Sequence, residues 1–153
     1  MIGTYYHSLD SKNRIRMPAK VKSHMGDDFV FFKAPGPCIY VVPRTIEAEI
    51  ERKIDNITIF DPAQMDISKV YAGFSEAAMD EQGRITISAK LKEYAEIDKN
   101  VVTLCVGSRL EIWAEEVRTE FENNPNYDPF RKEKAYLDAV QKVMVKTEKS
   151  EGN

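Results

Sequence analysis

A short motif occurs twice in this chain, and the repetition constrains the fold more than any other feature. The first copy reads Asp-Ser-Lys-Asn-Arg at residues 10–14, and the second reads Asp-Glu-Gln-Gly-Arg at residues 80–84. The offset is 80 − 10 = 70 residues, and the similarity continues into Ala-Lys-aliphatic-Lys at residues 19–22 and 89–92. We interpret the pattern as a tandem duplication of one unit of about 45 residues.

A unit of that size buries too little surface to be stable alone, so we expect the two copies to share one core. The whole chain has 153 residues, which is enough for one domain or two very small ones. The residue patterns predict a β-rich α+β fold, with short strands, turns and a few amphipathic helices in each copy.

Several helices have clear sequence signals. Pro18 and Gly26 bracket a helix predicted at residues 19–25, and isoleucines spaced by four predict another at 43–54. Strands are predicted at residues 2–9, 29–33 and 38–42. A helix is also predicted at residues 115–121, and the Pro- and Asn-rich segment that follows should end it. Residues 146–153 are predicted to form a frayed tail. A final helix is predicted to pack on its own protein through the stripe Phe130, Leu137, Val140 and Met144.

Composition narrows the functional class. The net charge is −3, which argues against a polybasic coat for nucleic acid but permits a local basic patch. Cys38 and Cys105 stand outside any metal-binding spacing and read as core residues in a reducing compartment. We find no apolar run long enough to span a membrane and no secretory signal, so we expect a cytoplasmic protein without membrane association.

The first copy concentrates positive charge. Residues 10–22 contain five Lys or Arg side chains and one acid, Asp10, which gives 5 − 1 = +4 in a chain of net −3. A solvated face is the simplest interpretation. Three features favour DNA: the Arg recurs in the second copy, it follows a turn, and the outward strand positions after it are polar. The predicted DNA-contacting residues are Lys12, Arg14, Arg16, Lys20, Lys22 and Arg84.

The remaining motif positions are predicted to be structural. Asp10 and Asp80 would be repelled by phosphate, so we expect them to hold the arginine or to accept hydrogen bonds from turn amides. Asn13 and Gly83 occupy equivalent positions, and both residue types tolerate a positive φ.

Enzymatic chemistry is poorly supported by these residues. The chain has two histidines, neither of them in a metal-ligand spacing, and no Gly-rich phosphate loop. A remote alternative is a small hydrolase that uses His7 as a base oriented by Asp10. Trp113 could stack on bases, although aromatic residues in a chain of this size usually fill the core. No cofactor or metal site is predicted.

The doubled motif resembles the MraZ family of bacterial transcription regulators. Residues 5–20 read Tyr-Tyr-His-Ser-Leu-Asp-Ser-Lys-Asn-Arg-Ile-Arg-Met-Pro-Ala-Lys, close to the N-terminal signature of that family. Leu-Glu-Ile-Trp at residues 110–113 is similar to the end of its second repeat. The resemblance covers about residues 1–120, and it divides the chain into AbrB-like repeats at 5–47 and 76–119, a helical linker at 48–75, and a C-terminal helix and tail at 120–153.

The resemblance implies two fused swapped-hairpin units that interleave into a small pseudo-symmetric β-barrel, with flanking helices. It also implies a closed homo-oligomeric ring with the Asp-x-x-x-Arg loops on one face. The implied activity is transcriptional regulation, mostly repression, of the division and cell-wall gene cluster that includes its own promoter. The implied partner is double-stranded DNA with short direct repeats, and the implied location is the nucleoid.

This chain departs from the family pattern in ways that predict which of the two copies contributes more to DNA binding. Asn13 replaces the usual Gly, and the linker carries only Lys69 where the family often has several arginines. Glu81 and Gln82 stand where the first copy has Ser11 and Lys12. We therefore predict that the first repeat makes the main DNA contacts. The alternative to DNA binding is an oligomeric interaction scaffold or an antitoxin-like partner of the same fold.

Overall fold

The structure is a computed structural model that describes residues 1–129 and 133–151, with side chains described through residue 148. It is an α+β fold. The strands are β1 (Ile2–Ser8), β2 (Arg14–Arg16), β3 (Asp28–Lys33), β4 (Ile39–Pro43), β5 (Phe74–Ala78), β6 (Arg84–Thr86), β7 (Asn100–Val106) and β8 (Arg109–Ala114). The helices are α1 (Ala19–Met25), α2 (Arg44–Asp55), α3 (Ala63–Tyr71), α4 (Ala89–Tyr94), α5 (Glu115–Asn123) and α6 (Lys134–Glu151).

The strand pairing exchanges elements between the two copies. The main sheet is antiparallel and has the order β1-β7-β8-β4-β3-β5. The first strand of each copy, β1 or β5, therefore pairs with the third strand of the other copy. The second strands, β2 and β6, pair with each other in a separate two-stranded ladder. Each copy thus completes the other, as expected for units too small to be stable alone.

The closed β-barrel that the resemblance implied is not found in the described part of the chain. The six-stranded sheet is open, since β1 and β5 form its two edges. The three-residue strands β2 and β6 pair only with each other, and so they do not join these edges. The ladder instead covers one face of the sheet.

One shared core lies between the ladder and the sheet. Ile15 and Ile85 point inward from the ladder, with 2% and 0% of their surfaces exposed. They belong to the same buried cluster as Phe29 and Val41 of the first copy and Val101 of the second. On the opposite face of the sheet, a second layer of packing involves α2, α3 and α6. The sheet is therefore sandwiched between the ladder side and a helical layer.

The local signals for α1 agree with the structure. The helix begins directly after Pro18 and is capped at its C-terminal end by Gly26, which has a φ of 77°. Asn13 and Gly83 also have positive φ values, of 58° and 77°. Both copies therefore use a left-handed residue directly before the motif arginine, which is tolerated best by Gly and Asn.

The C-terminal helix α6 packs on the protein itself. Leu137 and Val143 are buried, and Val140 and Met144 contact the cluster formed with α2 and α3. Phe130, the first residue of the predicted stripe, lies outside the described residues. The sequence suggested a frayed tail at residues 146–153; the helix continues through Glu151, and residues 152–153 lie outside the described residues. Tertiary contacts hold the first two residues of this stretch. Lys146 Nζ lies 2.8 Å from Asp61 Oδ2, and the side chain of Thr147 is buried.

Cys38 and Cys105 are buried and unpaired. Desolvation raises the pKa of the Cys38 thiol, which keeps it protonated.

Among the described residues, no helix is both long enough and apolar enough to cross a membrane.

Candidate nucleic-acid interface

The first motif loop is organised by the carboxylate of Asp10. Its Oδ1 accepts hydrogen bonds from the backbone amides of Lys12 and Arg14, both at 2.9 Å. Its Oδ2 accepts from Nε of Arg14 at 2.8 Å. One acid therefore shapes the turn and orients the arginine side chain, and these contacts fit the structural role that the sequence suggested for it.

The second loop repeats this arrangement. Asp80 Oδ1 accepts from the amides of Gln82 and Arg84 at 2.9 and 2.8 Å, and Oδ2 accepts from Nε of Arg84 at 2.9 Å. The side chains of Arg14 and Arg84 are 23% and 24% exposed. In both cases Nε is the nitrogen that the acid engages. In the described part of the chain, the terminal guanidinium nitrogens of these two arginines make no hydrogen bond.

The hydrogen bonds lower the pKa of both acids. For Asp10, desolvation raises the pKa, but the hydrogen bonds from the amide and side chain of Arg14 outweigh it. For Asp80, the hydrogen bond from the Arg84 amide is the largest cause of the lowering. Both acids are therefore ionised near neutral pH, which keeps the arginines in place.

The ladder brings three arginines to one face. Arg14 pairs with Thr86, Ile15 with Ile85, and Arg16 with Arg84. Because alternate residues of a strand point to opposite sides, the burial of the two isoleucines directs the other ladder residues outward. Arg14, Arg16 and Arg84 therefore share an outward surface with Thr86, and we call these four residues the arginine face.

The two motif loops stand at opposite ends of this short ladder. An antiparallel pair of three-residue strands is about 7 Å long. The backbone amide of Met17 donates to Gly83 O at 2.8 Å, and that of Ile87 donates to Asn13 O at 2.9 Å. Each loop is thus tied to the strand end of the other copy, which sets the spacing of Arg14 and Arg84.

Asn13 makes a contact that its counterpart Gly83 cannot make. Its Oδ1 accepts a hydrogen bond from Lys92 Nζ at 2.9 Å. The equivalent lysine of the first copy is Lys22, which is exposed. The first loop is therefore held to the second copy by a side chain as well as by the backbone.

The other predicted cations are distributed unevenly. Lys12 is exposed at the tip of the first loop, and Lys22 is exposed on α1. Lys20 lies elsewhere: its Nζ donates to the carbonyl of Ile2 and is 5.7 Å from the centre of the Tyr5 ring. Ile2 is at the far end of β1 from the Asp10 loop. The structure thus places Lys12 beside the arginine face and does not bring Lys20 to it.

The net charge differs between the two ends of the ladder. Residues 10–16 contain three cations and one acid, giving 3 − 1 = +2. Residues 80–86 contain one cation and two acids, giving 1 − 2 = −1. Arg16 and Arg84 are direct cross-strand neighbours, and Arg16 Nη1 donates to Gln82 O at 2.6 Å. Sequence reasoning missed this pairing, because no local signal specifies which short strands pair.

His7 and Asp10 have separate hydrogen-bond partners in the structure. Its Nε2 lies 2.7 Å from the Thr103 hydroxyl, within the β1–β7 pair. The Asp10 carboxylate is directed to its own loop. No group of three or more His, Cys, Asp or Glu side chains in the described ranges could hold a metal ion.

A family model and individual proteins of known sequence both match this chain, and they point to the same family. Residues 70–139 match the model of a family described as "MraZ protein, putative antitoxin-like". A protein of Clostridium beijerinckii named transcriptional regulator MraZ is 38% identical over 129 residues, which cover 83% of this chain and 91% of that protein. The chain belongs to the MraZ family. The resemblance proposed from the doubled motif is thus confirmed.

Other MraZ proteins are similar to the same degree. One from Thermoanaerobacter pseudethanolicus is 36% identical over 125 residues, covering 81% of this chain and 87% of the relative. One from Clostridium acetobutylicum is 35% identical over 121 residues, covering 78% and 85%. Both are named transcriptional regulator MraZ.

Proposed function

We propose that this chain is a transcriptional regulator that binds double-stranded DNA through its arginine face. The observation that carries the proposal is the convergence of Arg14, Arg16 and Arg84 on one outward surface, with two of them held by identical Asp contacts. Guanidinium groups bind phosphate oxygens and the guanine edge through paired N–H donors. An arginine whose Nε is already fixed loses less side-chain freedom on binding.

The residues have different proposed roles. Arg14 reads a base edge from the first loop, while Lys12 and Arg16 bind neighbouring phosphates. Lys22 and Lys20 contact only the DNA backbone that flanks the site. Lys20 must first break its hydrogen bond to the Ile2 carbonyl. Arg84 contributes less than Arg14, because the second loop carries the negative Glu81 where the first loop has the neutral Ser11.

The finer parts of the proposal come from family membership. We propose a homo-oligomeric ring whose loops contact short direct repeats upstream of its own gene, within the division and cell-wall gene cluster. The proposed effect is repression. The +2 charge of the first motif would make a single contact weak, and repeated contacts from linked subunits would raise the overall affinity.

Fluorescence anisotropy tests this function directly. The probe is a duplex from upstream of the gene, with a shuffled duplex of the same composition as the specificity control, at two salt concentrations. Arg14→Ala is compared with Lys142→Gln, which removes an exposed charge from α6. We expect salt-sensitive binding that prefers the native duplex, is weakened by Arg14→Ala and is unaffected by Lys142→Gln. Equal binding of both duplexes, or no loss in Arg14→Ala, contradicts the proposal.

A second candidate is a protein-binding module, which the antitoxin-like description of the family model favours. The turn between α2 and α3 also exposes Ile59 and Phe60, at 78% and 88%, and exposed apolar patches often mark protein contacts. This function predicts a stable heterocomplex that Phe60→Ser disrupts, without salt-sensitive DNA binding. Retention of native-duplex binding in Phe60→Ser, with no heterocomplex in the wild type, would exclude it.

A further inference from the structure

The residue directly before Arg14 is held at two points by the second copy. Asn13 has a φ of 58°, in the left-handed region, and its carbonyl oxygen accepts a hydrogen bond from the backbone amide of Ile87 at 2.9 Å. Its side-chain Oδ1 accepts a second hydrogen bond, from Lys92 Nζ, at 2.9 Å. Because the two bonds hold both the backbone and the side chain of Asn13, they also fix the point from which Arg14 leaves the loop.

Lys92 lies in the last turn of α4, a short helix with well-defined ends. The hydroxyl of Ser88 caps the first turn by accepting from the amide of Leu91 at 3.2 Å. The carbonyl of Lys92 accepts from the amide of Ile97 at 2.9 Å, and the side chain of Leu91 is buried in the shared core. The half-buried lysine therefore reaches Asn13 from a firmly packed helix.

A contact of this kind cannot form at the second loop. Gly83 occupies the position of Asn13 and has no side chain, and the lysine that corresponds to Lys92 is Lys22, which is exposed on α1. Pro18, at the start of α1, supplies no side-chain cap. The first loop is therefore the better anchored of the two, and its additional anchor belongs to the opposite repeat.

We propose that Lys92 is a positioning residue of the DNA site, which acts through Asn13 and does not itself contact DNA. This role rests on the proposed function, in which Arg14 reads a base edge. An arginine that leaves a fixed turn loses less conformational freedom on binding, and base edges carry the sequence information that phosphates lack. Loss of the Lys92 bond should therefore reduce the preference for the native duplex and leave sequence-independent binding unchanged.

The same substitution at two lysines distinguishes positioning from phosphate contact. Lys92→Met removes the donor to Asn13, and Lys12→Met removes a proposed phosphate contact. Anisotropy is measured on the full chain with the upstream duplex and the shuffled duplex over a series of salt concentrations. Lys92→Met should bind the upstream duplex about three- to tenfold more weakly, as expected for one hydrogen bond. It should bind the shuffled duplex as the wild type does and keep the log–log salt slope of the wild type. Lys12→Met should weaken both duplexes and make the slope shallower by about 0.9.

A double-mutant cycle separates the Asn13 contact from the charge of Lys92. Asn13→Gly breaks the same hydrogen bond while the lysine stays charged, and glycine tolerates the positive φ at this position. Each single variant and the double variant should lose the same affinity for the upstream duplex, because both side chains serve one contact. Thermal unfolding checks that each variant is folded.

The Arg14→Ala variant separates failure of this role from failure of the proposed function. If Arg14→Ala weakens binding but Lys92→Met binds the upstream duplex as the wild type does, the positioning role is overturned. It is also overturned if Lys92→Met weakens both duplexes with a shallower salt slope, or if the losses add in the double variant, since Lys92 would then contact phosphate itself. If Arg14→Ala binds normally, the proposed function fails, and the role of Lys92 fails with it.

Discussion

Exchanging the outward residues of the two ladder strands tests the proposed interface without disturbing the core. Arg16 and Thr86 occupy equivalent positions in the two copies, and both side chains are exposed. Arg16→Thr gives the first strand the residue of the second, and Thr86→Arg does the reverse. The first variant removes a cation from the arginine face, and the second places a new one opposite Arg14.

The expected size of the effect follows from the number of cations. Arg14 is assigned to a base edge, so Lys12, Arg16 and Arg84 give three phosphate contacts per chain, and the log–log dependence of affinity on salt should have a slope of about −2.7. Arg16→Thr should make the slope shallower, about −1.8, and Thr86→Arg should make it steeper, about −3.6. Arg16→Thr also loses the bond to Gln82 O, which is exposed and should affect stability by at most about 1 kcal/mol.

The assay is anisotropy of the upstream duplex over a series of salt concentrations, with Lys142→Gln, which removes the same charge as Arg16→Thr but from α6, as the control. The two exchanged variants should move the slope in opposite directions, and the control should leave it unchanged. An unchanged slope in both exchanged variants, with normal urea unfolding, would show that the outward surface of the ladder does not meet DNA.

Three further predictions concern the core, pH dependence and the ranking of the copies. Ile85→Ala should destabilise the fold by about 2–5 kcal/mol in urea unfolding, because a fully buried side chain leaves a cavity at the centre of the ladder; a loss below about 1 kcal/mol would contradict the shared core. Burial lowers the pKa of His7 below 6.5, so stability should be fully present above pH 6.5 and decrease as the pH falls toward the lowered value. His7→Gln should flatten that decrease in unfolding measured at several pH values, and an unaltered profile would assign it to other groups. Arg84→Ala should weaken duplex binding less than Arg14→Ala, and equal losses in an intact oligomer would show the ranking to be wrong.

Much of the local structure could be predicted because its signals lie close together in sequence. Pro18 and Gly26 fix the ends of α1 within nine residues, and the Asp and Arg of each motif are separated by only four. The positive φ of Asn13 could be inferred from its alignment with Gly83. These features depend on backbone preferences and on one turn of chain, which the residues themselves specify.

The long-range features could not be predicted in the same way. The pairing of Arg16 with Arg84 joins strands separated by nearly half the chain, and three-residue strands contain too little pattern to specify a partner. Lys20 counted as part of the basic cluster in the sequence, but its side chain turns to the Ile2 carbonyl. The packing of α6 against α2 and α3 joins residues far apart in sequence, and no motif specifies that arrangement.

The central claim is that DNA lies against the arginine face, and site-specific photocrosslinking tests it most directly. A photoreactive phenylalanine analogue is placed at Ser11 or at its counterpart Glu81, both exposed in the motif loops, or at Lys142 on α6. We predict crosslinks to the upstream duplex from position 11, weaker crosslinks from position 81 and none from position 142. Crosslinks from position 142 without any from the two loops would contradict the account.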